Sequence, residues 1–209
     1  MNDQNVLTPA KEPVSARGRR KRARLMDAAK TIFQRDGFAE SRITDIVNEA
    51  SASTGSFYTY FDNKEQILKA VLTEAQQDML HTSLLRGHPD ATSSPKEIVD
   101  YGIRRYIEYY AQNTALMLLM EQVAGIDPDF REERRQREHD IVESNAELLG
   151  NWQSTGQART TMDAYLVTRA LSSMTIKFAY NCLAMRENED VSVVVDTLTQ
   201  VWLKTLEID

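Results

Sequence analysis

The sequence predicts an all-α protein. Apolar residues recur at helical spacing through most of the chain, and no segment keeps the period-two alternation of a strand. Eight glycines and five prolines among 209 residues allow few tight turns. The one locally β-prone stretch, Val191-Ser-Val-Val-Val195, fits a helix better. Val191, Val194, Val195, Leu198, Val201, Trp202 and Leu206 fall on one helical face.

Residues 1–16 are polar, contain Pro9 and Pro13 and show no period, so disorder is expected there. A helix starts near residues 17–19, with Leu25, Ala28, Ala29, Ile32 and Phe33 at helical spacing and Gly37 as a left-handed stop. Ser41 is the expected cap of a second helix built on Ile43, Ile46, Val47 and Ala50. A turn at Ser51 and Ala52 leads to a very short third helix, roughly 53–60, capped by Ser53. Asn63 caps the next, roughly 64–86, whose apolar set is Ile67, Leu68, Val71, Leu72, Ala75, Met79 and Leu80. A loop over 88–94 ends in a strong helix start, with Ser94 as cap, Pro95 at the first position and Glu97 at the third. Further helices are expected at about 95–112, 115–124, 128–153, 162–186 and 191–207. Asp127-Pro128, Thr155-Gly156 and the polar run 186–190 separate them.

Charge divides the chain. The net charge of −6 argues, by itself, against a nucleic-acid partner. Yet residues 1–64 hold eleven Lys/Arg against eight Asp/Glu, and the remainder fourteen against twenty-three. That asymmetry suggests a head that faces nucleic acid and a body that does not. Cys182 is the only cysteine, which rules out a disulfide framework and a Cys-x-x-Cys metal pattern. No secretory signal and no apolar run of spanning length is visible, so a soluble cytoplasmic protein is expected. Phosphate loops, dinucleotide fingerprints and nucleophile elbows are missing, and nothing supports catalysis or a cofactor. His139 and Glu143 share a helix face, but two groups do not make a metal site. The run 131–140 reads as a solvated face stitched by the i,i+4 pairs Glu133–Arg137 and Arg134–Glu138.

The stretch 41–64 carries the most chemistry. Two short helices around a tight turn suit a reader whose second helix enters the major groove while the first crosses the backbone. The second helix offers Thr54, Gly55, Ser56, Tyr58, Thr59 and Tyr60, and Thr44 lies on the first. Hydroxyls can bond base edges or phosphates, and a glycine lets the backbone approach closely. Phe57 and Phe61 are expected in the core. The helix lacks Arg, Lys, Asn and Gln, so direct base reading should be modest. Electrostatic affinity falls to a basic arm of Lys11, Arg17, Arg19, Arg20, Lys21, Arg22 and Arg24, with Lys64 placed to meet a phosphate.

Residues 25–64 resemble the DNA-binding domain of the tetracycline-repressor (TetR) family. The resemblance rests on Ala28-Ala-x-x-x-Phe33, Gly37-Phe38, Ile43-Thr-x-x-Ile46, Ala50, Ser53-x-Gly55-x-Phe-Tyr58-x-Tyr60-Phe61 and Lys64-Glu65. One departure is the turn Ala50-Ser51-Ala52-Ser53, where the family often has Ala-Gly-Val-Ser; a serine in a left-handed turn costs more than a glycine. The resemblance implies that Tyr58 and Lys64 contact phosphates. It also implies a three-helix DNA-binding domain over 17–63, followed by a helical ligand-binding and dimerisation domain over 64–209. Dimerisation would use the last two helices, with Leu166, Ala170, Ser173, Met174, Lys177, Leu198, Val201, Trp202 and Thr205 as interface positions. A two-fold dimer would read a palindromic double-stranded operator.

The resemblance also raises the expectation of a cavity for a small hydrophobic effector. Tyr106, Tyr109, Tyr110, Met117, Met120, Trp152, Met174 and Phe178 are its candidate walls, together with Tyr101, and Thr175 and Asn181 its polar fixings. The same residues at helical spacing equally fit an ordinary core, and Tyr109 and Tyr110 cannot face the same way. The expected function is a ligand-responsive repressor. The alternative is a DNA-binding activator or scaffold regulator without small-molecule control.

Overall fold

The computed structural model describes residues 13–81, 93–185 and 189–209. Among these the chain is helical with no strand. The helices are α1 (Ala16–Asp36), α2 (Ile43–Glu49), α3 (Thr54–Tyr58), α4 (Lys64–His81), α5 (Pro95–Gln112), α6 (Thr114–Ile126), α7 (Pro128–Ser154), α8 (Ala164–Ala179) and α9 (Val191–Leu206). A π-helical turn, Tyr180–Ala184, continues α8. The expected disorder of residues 1–12, the end of α4 beyond residue 81, the loop over 88–92 and the run 186–188 lie outside the described residues.

Several boundaries follow from caps. Gly37 stops α1 at φ 78°, and its N–H returns to the Phe33 carbonyl at 3.1 Å. Ser94 and Glu97 satisfy each other's backbone at the start of α5, with Glu97 Oε2 2.8 Å from the Ser94 N–H. Asn63 accepts from the Gln66 N–H at 2.8 Å. The expectation for Ser41 is corrected. Its hydroxyl turns back to donate to the Phe38 carbonyl at 2.8 Å, and Arg42 occupies the cap position, its N–H bonded to the Asp45 carboxylate at 3.0 Å. Helix α3 is shorter than expected because its end tightens: the Tyr60 N–H bonds the Phe57 carbonyl at 2.9 Å, an i→i+3 closure. Asp163 caps α8 through the Leu166 N–H at 2.8 Å, so that helix starts two residues later than expected.

The chain divides into two compact units, Met1–Gln76 with Ala115–Arg131, and Gln77–Thr114 with Glu132–Asp209. The first buries Leu25, Ala29, Ile32 and Phe33 of α1 with Ile46 and Val47 of α2, Phe57 and Phe61 around α3, and Ile67, Val71 and Leu72 of α4. Leu116, Met117, Leu119 and Met120 of α6 and Phe130 of α7 belong to it. Lys69 of α4 pairs with Asp127 at 3.5 Å, and the other oxygen of Asp127 caps α7 through the Phe130 N–H at 3.0 Å.

In the second unit α5 packs along α9. Val99, Ile103, Tyr106 and Ile107 are buried on α5, and Val194, Val195, Leu198, Trp202 and Leu206 on α9. Trp202 is fully buried, and its indole N–H donates to Thr175 Oγ1 of α8 at 3.0 Å. The Thr175 hydroxyl donates in turn to the Leu171 carbonyl at 2.9 Å. The indole N–H of the largest ring in the core is thereby satisfied. The chain end is tied down as well: the Ile208 N–H bonds the Leu203 carbonyl at 3.0 Å, and Arg159 forms a two-pronged pair with Asp209.

Thr175→Val keeps the shape of the side chain but strands the buried indole N–H. The variant should lose about 1–3 kcal/mol of unfolding free energy in urea titrations, the cost of an unsatisfied buried donor. Thr175→Ser should retain most of it.

Candidate nucleic-acid interface

The basic run of the sequence is not an extended arm over residues 17–24 but the first two turns of α1. Ser15 caps that helix, accepting from the Gly18 N–H at 3.0 Å. Helical spacing places Arg17, Arg20, Lys21 and Arg24 on one stripe. Arg17, Arg20 and Lys21 are exposed and carry no ion pair among the described residues. Arg24 Nη2 donates to the Ala50 carbonyl at the end of α2 at 2.5 Å. Lys21 and Arg24 share a concavity with the turn 50–53 and Ser56, so the stripe abuts the helix-turn-helix.

The other two arginines point elsewhere. Arg19 donates to the Val14 carbonyl at 2.9 Å. Arg22 is half-buried, its Nη1 3.0 Å from Met26 Sδ and its guanidinium 5.4 Å from the centre of the Phe61 ring. Its charge therefore packs against the head's core.

Ser53 caps α3, accepting from the Ser56 N–H at 3.2 Å. Thr54, Gly55, Tyr58 and Thr59 are exposed, Ser56 is half-buried, and Thr44 is exposed on α2. Tyr58 is 50% exposed with its ring edge-on to Phe57. The Thr59 hydroxyl donates to the Gly55 carbonyl at 3.1 Å and retains its capacity to accept. A Cβ at Gly55 would meet nothing nearer than Ser53 Oγ at 4.0 Å. Tyr60, expected among the exposed readers, is buried. Its hydroxyl comes within 3.7 Å of where a Cβ on Gly18 would stand, so it packs α3 against the start of α1.

Lys64, expected to meet a phosphate, is engaged within the chain. Its ammonium donates to the carbonyls of Phe38 at 2.6 Å and Ser41 at 2.8 Å, approaches that of Ala39 at 3.4 Å, and stands 4.3 Å from the centre of the Phe38 ring. All three ammonium protons have carbonyl partners, so Lys64 ties the start of α4 to the loop between α1 and α2 instead of projecting a free charge. No local sequence signal reveals this, because the partners lie 23 to 26 residues away. Lys21 and Arg24, by contrast, could have been placed from their spacing.

The proposed effector walls are divided between the two units. Met117 and Met120 are buried but fall in the first unit, while the others fall in the second. Tyr106, Tyr110 and Trp152 are buried, and the two tyrosine rings lie 6.1 Å apart. Tyr109, Met174, Tyr101 and Asn181 are half-buried. Phe178 is exposed, and Thr175 is committed to Trp202 and Leu171. Of the dimer positions, Leu166, Ala170, Ser173 and Lys177 are exposed on one stripe of α8, whereas Leu198 and Trp202 are buried within the chain and leave the interface set. His139 pairs with Glu143 at 3.2 Å. No cluster of metal-ligating residues occurs among the described residues, and no described helix is long and apolar enough to cross a membrane.

Residues 25–71 match the bacterial regulatory proteins of the tetR family, and residues 99–207 match the C-terminal domain of the transcriptional regulator EthR. The chain is similar to the HTH-type transcriptional regulator EthR of Mycolicibacterium smegmatis, 24% identical over 214 residues that cover 96% of each protein. In fold it is similar to the fatty acid degradation regulator FadR from Bacillus halodurans, with a TM-score of 0.72, 17% identity and coverage of 95% of this chain and 100% of that one. It is similar also to Thermus thermophilus FadR, a transcriptional repressor solved in complex with lauroyl-CoA, with a TM-score of 0.62, 21% identity and coverage of 90% and 96%.

Two substitutions test the head. Ser51 holds φ 48° in the turn, so Ser51→Gly should stabilise the protein by roughly 0.5–1 kcal/mol in urea titrations, the left-handed cost less the entropy glycine adds to the unfolded chain. Lys64→Met should destabilise it by about 1–3 kcal/mol through the stranded carbonyls. The salt dependence of DNA binding should change by well under the roughly 0.9 unit expected when a phosphate contact is lost.

Proposed function

The chain belongs to the TetR family of bacterial transcriptional regulators and carries an EthR-type C-terminal domain, and on that basis we propose that it is a ligand-responsive repressor. In this reading it binds a palindromic operator as a homodimer and is released by a small, hydrophobic effector. The observation that carries the DNA half is the contiguity of an exposed, uncharged α3 with a basic stripe on α1. Arg17, Arg20 and Lys21 neutralise phosphates, and Tyr58 and Thr44 add hydroxyl contacts to the backbone. Thr54, Gly55, Ser56 and Thr59 face the base edges. Arg19, Arg22, Tyr60 and Lys64 hold this surface in shape.

Residues 17–63 act as the reading head and 64–209 as the sensing and dimerisation part. The exposed stripe Leu166, Ala170, Ser173 and Lys177 supports pairing through α8, and Val201 and Thr205 of α9 are half-buried. The repressor complex with lauroyl-CoA, a protein of similar fold, supports an effector with a large apolar portion. Buried Tyr106, Tyr110 and Trp152 are the walls best suited to it.

Effector binding shifts α4. Because Lys64 grips the loop over 38–41, a movement of α4 carries the head with it and changes the separation of the two heads in the dimer. The effector must bind the DNA-incompetent state better than the competent one.

Selection from random duplexes should yield a palindrome, and sedimentation should show a dimer bound to it. Replacing Arg17 and Arg20 together with Gln should weaken binding to all duplexes. It should flatten the slope of log affinity against log salt by roughly 1.8, about 0.9 for each lost phosphate contact. An unchanged slope would remove the α1 stripe from the interface. A bound effector, extracted from the protein and added back to saturation, should lower operator affinity; no change would sink the release mechanism.

A further inference from the structure

Helices α7 and α8 pair antiparallel within the second unit. Gln153 of α7 donates to the carbonyls of Thr160 and Met162 just ahead of α8, at 3.0 and 2.9 Å. Toward the other end, Arg135 of α7 lines the same pocket as Ile176 of α8. That pocket has a volume of about 340 Å³ and shares no residue with the tyrosine and methionine walls discussed above. Its size falls at the small end of ligand sites.

The pocket has an apolar floor of Ile141, Val142 and Ile176. Against it stands Ser172, 5% exposed, whose hydroxyl has no hydrogen-bond partner among the described residues. One turn along each helix the pattern repeats. Thr168 and Asn145 are fully buried, and the threonine hydroxyl and both amide atoms of Asn145 are without partners among the described residues. Of these, Ser172 lines the pocket. A buried hydroxyl left without a partner calls for an explanation, and a bound polar group is one.

The charges at the mouth decide which group. Arg135 is held by Glu132 at 2.5 Å, His139 by Glu143 at 3.2 Å, and Glu138 lies 3.9 Å from Arg134. Arg169 lines the pocket, is exposed and has no ion pair among the described residues. It sits one turn before Ser172 on the same face. Tyr165 presents a hydroxyl that is 3.2 Å from His139 Nδ1.

We propose that this α7–α8 pocket binds a small organic carboxylate, with its charge on Arg169, the Ser172 hydroxyl donating to it, and its apolar body on Ile141, Val142 and Ile176. Guanidinium and carboxylate match as a two-pronged pair, and the hydroxyl gains the acceptor it lacks. The site is separate from the hydrophobic effector walls and does not depend on the operator reading.

The test uses the full-length protein without DNA, so that its outcome is independent of any effect on operator affinity. Sodium octanoate, octanamide and octylammonium chloride are titrated by calorimetry. Octanoate should bind once per subunit and at least tenfold more tightly than octanamide, with octylammonium weaker still. Arg169→Gln should abolish the preference for octanoate while leaving octanamide binding in place. Ser172→Ala should weaken octanoate severalfold with an unchanged melting temperature. Three probes that bind alike, octanoate that fails to bind at millimolar concentration, or an Arg169→Gln variant that keeps the preference would each overturn the proposal.

Discussion

A five-residue helix has no stability of its own, and α3 exists only because its aromatic side is buried. Phe57 and Phe61 are fully enclosed, and Tyr60 closes the gap toward the start of α1. Everything the head presents outward depends on this anchorage. Arg22 lies against the Phe61 ring, Arg24 seals the end of α2, and Lys64 binds the loop between α1 and α2. Three cations in a basic domain are thus used to brace a small fold. The cations left over, on the outer stripe of α1, are the ones available to an anionic partner.

The same division between bracing and presenting recurs in the body. Read as letters, Trp202 suits a dimer interface and Thr175 a ligand site, but the two meet in the core between α8 and α9. Ser172, one turn before that threonine on α8, is one of the buried residues whose hydroxyl lacks a partner among the described residues. Polar groups in a core differ less by type than by whether a partner has been supplied, and that distinction separates scaffold from candidate site here.

The helical plan was legible because its signals are local. Ser94-Pro95-Glu97, Asn63, Gly37 and the spacing of Leu25 to Phe33 each act within a turn or two of themselves, and the structure follows them. Ser41 misled because the neighbouring Asp45 reaches the cap position from inside the helix, leaving serine free to bond backward to Phe38. Lys64, Tyr60 and Arg22 were less legible: Lys64 reaches Phe38 and Ser41, Tyr60 the start of α1 and Arg22 the Phe61 ring, contacts distant in sequence that no local pattern announces. The pocket between α7 and α8 was hidden in a charged run that reads as a solvated face. Only the pairing of that run with α8 shows Ile141, Val142 and Ser172 behind it.

The open space around Gly55 bears on how such a regulator changes over time. Thr54, Gly55 and Thr59 carry little of the packing, since the ring side of α3 does that work, and a side chain added at Gly55 would enter empty space. Substitutions there carry little toll on folding. In the proposed reading, operator preference and structural integrity therefore lie on opposite sides of one short helix, and targets can diverge while the scaffold is kept.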